Sequence, residues 1–400
     1  MAKHVHKVAF LAAIVYFIQG SLGISGIALP LFLRKLEWSI SDITMISSLA
    51  ALPWVFKITY GLFSDCIPLF GYRRKSYLIL CSFIAATGWL SLVLLPSEKS
   101  WIMISLLGIN FGFAATDVIT DGLIVEHSTQ TTSSIYQSIA WGSRSLGSII
   151  SGFIGGWLAA HWDPKHVFLL TMTLPLFVLG GAFFIHEKRM ERSPFQSVWT
   201  PFERCFKLIL SHNIRWFLAI LICASIASSF GIPFFFFMKE TLNFNETFLG
   251  TLSSLGWFGA LVGSLIYFRW LRHISPKITL RWAILLNSIN IFSTLLIRDT
   301  TSAFLLIFIG GVMGCLTLLP IMSSSAILTH HTQVEGSLFA VLMSVFNLGQ
   351  ILFGFLGGKI YVLIGLHTLI ICTGVLGILG FIFVERLRFE TPPSVAPSPP

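Results

Sequence analysis

Apolar runs of roughly 20 residues, each closed by a short polar stretch, recur from one end of the 400-residue chain to the other. A helix needs about 20 mostly apolar residues to cross the hydrocarbon core of a bilayer. The runs fall at roughly residues 8–33, 40–64, 77–95, 101–126, 134–160, 167–185, 214–238, 248–270, 278–297, 303–328, 336–361 and 366–384. The pattern predicts an all-α polytopic membrane protein with about twelve transmembrane helices. The opening Met-Ala-Lys-His-Val-His-Lys resembles the front of a leader peptide. The apolar run behind it continues to Leu33 with no small-residue cleavage site, so it reads as a first span.

Composition points the same way. Hydrophobic side chains make up 55% of the chain and charged ones 11%, whereas a soluble domain is about 25% charged. A formal net charge of +9 admits a nucleic-acid partner in principle, but the basic residues sit in short loops between apolar runs. That distribution marks membrane orientation instead. One alternate set of loops holds Lys3, Lys7, Arg73, Arg74, Lys75, Lys188, Arg189, Arg192, Arg204, Lys207, Arg215, Arg269, Arg272, Lys277, Arg281, Arg386 and Arg388. The opposite set holds only Arg34, Lys35, Lys99, Lys165, Lys239, Arg298 and Lys359. The excess puts both termini in the cytoplasm, which requires an even number of spans in the cell (inner) membrane. The six cysteines are scattered without a CxxC pair and read as free thiols.

One long loop, 187–213, is basic, carries Pro194 and Pro201, and ends in Phe202-Glu-Arg-Cys-Phe-Lys-Leu-Ile-Leu. It reads as a linker with an amphipathic helix on the membrane surface. It separates an N-terminal six-helix bundle (1–186) from a C-terminal one (214–386), and the Pro-rich tail 387–400 has too little apolar surface to fold. The two bundles are related. Gly147-x4-Gly152-Phe-Ile-Gly155-Gly156 recurs as Gly349-x4-Gly354-Phe-Leu-Gly357-Gly358, Gly61 matches Gly263 at the same offset, and Pro30 matches Pro233 one residue further. Helix packing explains each glycine by itself. Their recurrence in register points to a carrier built from two repeats around a central site.

Charges inside apolar runs are the candidate chemistry, because a charge at mid-bilayer costs at least ~2.5–3.5 kcal/mol and marks function by default. Asp117 and Asp121 lie in the fourth run, Arg144 in the fifth and Lys57 in the second. At 1.5 Å per residue, Asp117, Arg144 and Lys57 share one level roughly 12–15 Å from the cytoplasmic end, with Asp121 about a turn nearer to it. Asn110, Asp117 and Asp121 share one helix face, and Gln137, Trp141, Arg144 and Ser148 another. In one reading these charges pair and only hold the bundle together. In the other they bind substrate or carry a coupling proton. At the repeat offset their counterparts are Leu319, Ser323, Gly259 and Phe346, so the charged site is one-sided, facing neutral groups such as Ser323, Ser324, Ser325, Asn347 and Gln350.

Other features carry less. His330-His331 lacks the further ligands a metal needs, so neither metal nor cofactor is expected. Asn245-Glu-Thr247 fits a glycosylation sequon, and Glu126 reads as structural. With no P-loop, ATP does not drive a cycle directly. An intramembrane aspartyl protease is a rival class, but its acids face each other from separate helices, and here both share one. No enzyme is expected.

The loop after the second run reads Gly61-Leu-Phe-Ser-Asp65-Cys-Ile-Pro-Leu-Phe-Gly71-Tyr-Arg73-Arg74-Lys75. It resembles the cytoplasmic loop motif of the major facilitator superfamily, in which the acid caps or pairs at a helix end and latches the two halves. Here the gap from Asp65 to Gly71 is longer than usual, and Tyr267 stands where the second half's acid would be. Pro53-Trp54-x2-Lys57-x2-Tyr60-Gly61-x2-Ser64-Asp65-x2-Pro68-x-Phe70-Gly71-Tyr72-Arg73-Arg74 is similar to the narrower folate–biopterin transporter family. So are Tyr16-Phe-x-Gln19-Gly20, Asp117-x3-Asp121-x4-Glu126 and Gln137-Ser-x2-Trp141-Gly-Ser-Arg144. The resemblance implies a major facilitator fold, with the second, fourth and fifth spans lining the cavity, and a secondary-active carrier of folate or a related pterin-type anion. A proton is a candidate coupling ion, and a carrier of another organic anion or a drug exporter is the alternative. For such a substrate, carboxylates suit the ring's adjacent N–H donors and an Arg fork suits its carboxylates, so the expectation is that Asp117 or Asp121 reads the pterin ring while Arg144, with Lys57, takes the carboxylate end. Tyr16, Trp54 and Trp141 are candidate stacking surfaces, Gln19, Asn110 and Gln137 candidate polar contacts, and Gly61, Asp65, Gly71, Arg73 and Arg74 a gating loop.

Overall fold

The computed structural model describes residues 2–127, 133–183, 207–329 and 335–388, together with 187, 189, 203 and 205. Among the described residues the chain is almost all helix and forms no strand beyond one isolated bridge between Leu69 and Tyr72. Ten stretches are long and apolar enough to cross a membrane. One of them, Ser337–Arg386, is two arms meeting at Gly365, whose φ of 73° breaks the helix in a conformation that suits glycine. The 29-residue helix Ser133–His161 lies outside the ten because it carries Arg144 and a row of serines.

Helix ends follow local chemistry. The Ser39 hydroxyl accepts from the Asp42 N–H at 3.0 Å, and the Asn245 side chain accepts from the Phe248 N–H at 2.8 Å, each capping the helix that follows. Asn245 of the sequon is thus a helix cap. Lys75–Leu94 ends at Leu95, which is extended as expected before Pro96. The first span is not one rod. It runs as Ala2–Ser21, Gly23–Gly26 and Ala28–Lys35. The first span of the second half breaks likewise, as His212–Ala224, a tight turn at Ser225–Ser229 and Gly231–Phe236. Pro30 and Pro233 lie in the short segments after the breaks.

The apolar side chains form separate cores. One draws on residues from Val8 to Ala182 with Phe236 added, and two others draw on the second half with Ile27 added. Large apolar groups such as Phe10, Phe177 and Leu363 remain exposed on the outside, the arrangement a lipid solvent requires. Within the 187–213 linker, Cys205 is buried while Glu203 and Lys207 are exposed and paired at 2.8 Å, so the described part of the amphipathic stretch faces its apolar side to the core. Linker residues 188, 190–202, 204 and 206, His330-His331 and the tail beyond 388 lie outside the described residues.

The repeated glycines have two jobs. Gly147 and Gly155 press on the backbone of the first span at Phe17 and Gly23, and Gly349 and Gly357 press on Ser225 and Ser229. These contacts hold each half together. Gly152 and Gly156 instead meet Ser254 and Gly250 of the other half, and Gly354 and Gly358 meet Ser48 and Ser41. A Cβ added at any of these positions would lie 2.0–3.0 Å from a neighbouring atom, so small residues are what allow the close approach. The between-half contacts, with an Arg34–Glu240 ion pair at 2.7 Å, lie at the end of the molecule opposite the termini. At the terminal end the halves stand apart around a cavity of 1180 Å³. Its walls include Ser138 and Trp141 from one half and Trp257, Phe268 and Ser323 from the other.

Candidate functional site

The intramembrane charges converge through three elements. Lys99–His127 is unbroken, so Asn110, Asp117 and Asp121 stay on one face. Opposite it, the helix from Ile40 tightens into a 3-10 turn at Leu52–Phe56, containing Pro53, before α-helix resumes at Lys57. From that turn the Trp54 indole N–H donates to Asn110 Oδ1 at 2.9 Å, and Lys57 Nζ lies 2.7 Å from Asp117 Oδ2. The first helix adds Tyr16 and Gln19, one turn apart. Gln19 Nε2 donates to Asp117 Oδ1 at 2.9 Å, and the Tyr16 hydroxyl donates to Asp121 Oδ1. Because the two helices run in opposite directions, a three-residue spacing on one meets a four-residue spacing on the other.

Arg144 is held differently. Gly20 and Gly147 let the first helix and Ser133–His161 approach backbone to backbone, and Ser151 donates to the Gly20 carbonyl at 3.0 Å. The guanidinium lies over the Trp141 ring, 5.4 Å from its centre. It makes no hydrogen bond or ion pair among the described residues, although it acts electrostatically on Asp117, Asp121 and Tyr16. Trp141 itself lines the cavity between the halves. The second half reaches the site through Asn347, whose amide donates to the Trp54 carbonyl at 3.1 Å.

The charges are therefore held in two different ways. Asp117 and Lys57 form a closed, largely buried pair, so Lys57 does not stand free beside Arg144 as a second anion-binding group. Asp121 has no cation within 4 Å among the described residues, and Arg144 no anion. The Gln137 side chain lies outside the described residues. The sequence offered Tyr16 as a stacking surface, but it is the hydrogen-bond partner of Asp121. Its spacing from Gln19, matched to that of Asp117 and Asp121, was the available signal.

The loop motif builds a second charged cluster at the terminal end of the first half. Gly71 adopts a φ of 83° in the turn that reverses the chain. Arg74, 5% exposed, reaches Asp65 at 2.6 Å, Ser64 at 2.6 Å and Glu126 at 2.8 Å, and Gly122 leaves the space its guanidinium fills. Arg73 also bonds to Glu126. Glu187 accepts from the backbone N–H groups of Arg73, Arg74 and Lys75, where a negative charge suits the start of Lys75–Leu94. Glu126 follows the apolar stretch that ends at Ile124. Burial alone would raise its pKa, but the Arg74 and Arg73 guanidiniums outweigh that and hold it below the usual glutamate range. A Cβ on Gly61 would lie 3.4 Å from Val118 Cγ1. Among the described residues, Asp65, Arg73 and Arg74 pair with first-half groups and with Glu187 at the start of the linker, and not with the second half. The signal for Gly122 and Glu187 was absent from the sequence, since each acts at a distance on Arg74 and its neighbours.

Long apolar helices around a cavity between two halves, with charges held inside the helical bundle, define a multi-pass membrane transporter of the major facilitator fold. Solved structures share that fold. The nucleoside transporter NupG is 12% identical with a TM-score of 0.76, covering 96% of this chain and 99% of its own. A POT family transporter crystallised with 5-aminolevulinic acid is 15% identical with a TM-score of 0.75, covering 94% and 95%. Among sequences, the family model of the BT1 family matches residues 19–371, and the chain belongs to that family. The "Folate-biopterin transporter" of Synechocystis is 30% identical over 84% of this chain and 71% of its own length. "Probable folate-biopterin transporter 4" of Arabidopsis thaliana is 26% identical over 90% and 89%. "Folate transporter 2" of Plasmodium falciparum is 25% identical over 86% and 78%. The chain is a transporter and not an enzyme.

Proposed function

We propose that this transporter carries folate or a related pterin-type anion across the cell (inner) membrane as a secondary-active carrier, with protons as the coupling ion. Two six-helix bundles, twelve spans in all with both termini cytoplasmic, alternate access to a site between them. The observation that carries the reading is Arg144. A guanidinium beside the cavity wall with no anion of its own is a ready partner for a substrate carboxylate, and it is the group that the names of the relatives would call for. Gln19 supports the pterin end, since its Oε1 is buried without a partner and can accept from a ring N–H. The packed end opposite the termini and the cavity at the terminal end fit the cytoplasm-facing state of such a cycle. Within this reading the Asp65–Arg74–Glu126 cluster is a gating loop that has released the second half.

The test is uptake of folate and of biopterin by purified protein in liposomes, with and without an imposed pH gradient. Wild-type protein should take up at least one of them, and Arg144→Ala should abolish folate uptake while its thermal melt stays near wild type. Uptake of neither compound by wild type under either condition rejects the substrate, and normal folate uptake by Arg144→Ala rejects the site.

A further inference from the structure

We propose that Asp121, and not Asp117, binds the coupling proton, and that a substrate carboxylate on Arg144 promotes this by removing one of the positive charges that help to offset it. The proposal rests on the anion-carrier reading above. Four charges lie in the slab. Lys57 and Asp117 cancel at 2.7 Å, and the second oxygen of Asp117 is taken by Gln19. Removing the Asp117 charge would leave the partly buried Lys57 ammonium without its counter-charge, so that pair is a poor place to exchange protons.

Asp121 and Arg144 are what remains. The groups that face Asp121 are Tyr16 from the first helix, Lys57 from the second span, Arg144 from Ser133–His161, and Asp117 one turn away on its own helix. Of these only the neutral Tyr16 hydroxyl touches it. In the empty carrier, Lys57 and, more weakly, Arg144 act on Asp121 through space without touching it. A substrate carboxylate that pairs with the guanidinium claims that positive charge. Asp121 is then a partly buried anion beside a second anion, Asp117, supported only by the Tyr16 hydroxyl and by Lys57, which is already paired with Asp117. One proton restores neutrality, giving a carboxylic acid whose O–H can donate and whose carbonyl oxygen still accepts from Tyr16. Nothing is oxidised or reduced. One proton enters from the side on which the anion binds and leaves with it, so the loaded site keeps the net charge of the empty one. The coupling is reciprocal, so anion binding draws in a proton to the extent that the proton favours the anion.

Chemistry separates two probes. Folate carries carboxylates and biopterin carries none. With detergent-purified full-length protein, folate affinity should rise on acidification, by up to about tenfold per pH unit while one proton is taken up per folate. Biopterin affinity should stay flat. Folate addition in weak buffer should consume protons, while biopterin addition should not. Asp121→Asn should flatten the folate slope and abolish proton consumption. A slope that survives in Asp121→Asn, or proton consumption equal for both probes, overturns the assignment. Infrared difference spectra on acid titration, without any substrate, give a second readout. Wild type should show a protonated-carboxyl stretch that Asp121→Asn lacks, and an identical spectrum from the two overturns the assignment. If wild type binds neither pterin, the carrier reading fails, and the titration still judges Asp121 by itself.

Discussion

At the scale of single residues, Lys57 shows what sequence can and cannot give. Its place in an apolar run made it conspicuous, and helix rise set it level with Asp117. Whether it would pair with that acid or stand beside Arg144 for a ligand depended on a 3-10 turn at Leu52–Phe56 that hydropathy does not register. The same limit hid Tyr16, an aromatic whose apolar ring reads as packing and whose hydroxyl caps Asp121. The pair has a measurable consequence. The Lys57 side chain is 22% exposed and that of Asp117 6%, and removing one partner of a buried pair costs about 3–5 kcal/mol because the other charge is left bare. Lys57→Met should therefore lower the melting temperature sharply. Adding Asp117→Asn should recover much of that loss, since two neutral groups need no partner. Thermal melts of the single and double variants in detergent make the comparison, and a double variant no more stable than Lys57→Met would show that the pair carries no such energy.

At the scale of helices, the glycine register was legible and its meaning only partly so. Gly142 and Gly156 look alike in sequence, two glycines on one helix fourteen residues apart. A Cβ on Gly156 would lie 2.6 Å from the Gly250 Cα across the boundary between halves, whereas a Cβ on Gly142 meets nothing within 4 Å and points into open space at a cavity-lining position. Periodicity cannot separate the two, because the difference lies in what a distant helix does. Gly156→Leu should yield little folded protein on size-exclusion chromatography. Gly142→Leu should melt within about 0.5 kcal/mol of wild type and lower uptake of folate more than that of the smaller biopterin. Equal loss for both compounds would mean that the space beside Gly142 does not limit substrate size.

At the scale of the whole molecule, the repeat foretold two halves but not which end would be shut. Hydropathy is the same in every state of a carrier, and the state is set by contacts between halves. Those contacts are weak by design. Arg34 and Glu240 are about 40% exposed, where an ion pair contributes about 0–1 kcal/mol, and the glycine contacts are backbone packing without a buried charge. An end held this way can part without a large barrier, as alternating access requires. Ser48 and Gly354 offer the test, since a Cβ on Gly354 would lie 3.2 Å from the Ser48 Cβ, close to the roughly 3.5–4.5 Å that a disulfide spans. Ser48→Cys with Gly354→Cys should stop uptake when oxidised and regain it with reductant, while wild type, whose six cysteines are unpaired, should respond to neither treatment. Continued transport by the fully cross-linked protein would mean that this end does not open during the cycle, and the site would then have to load and unload through the terminal end alone.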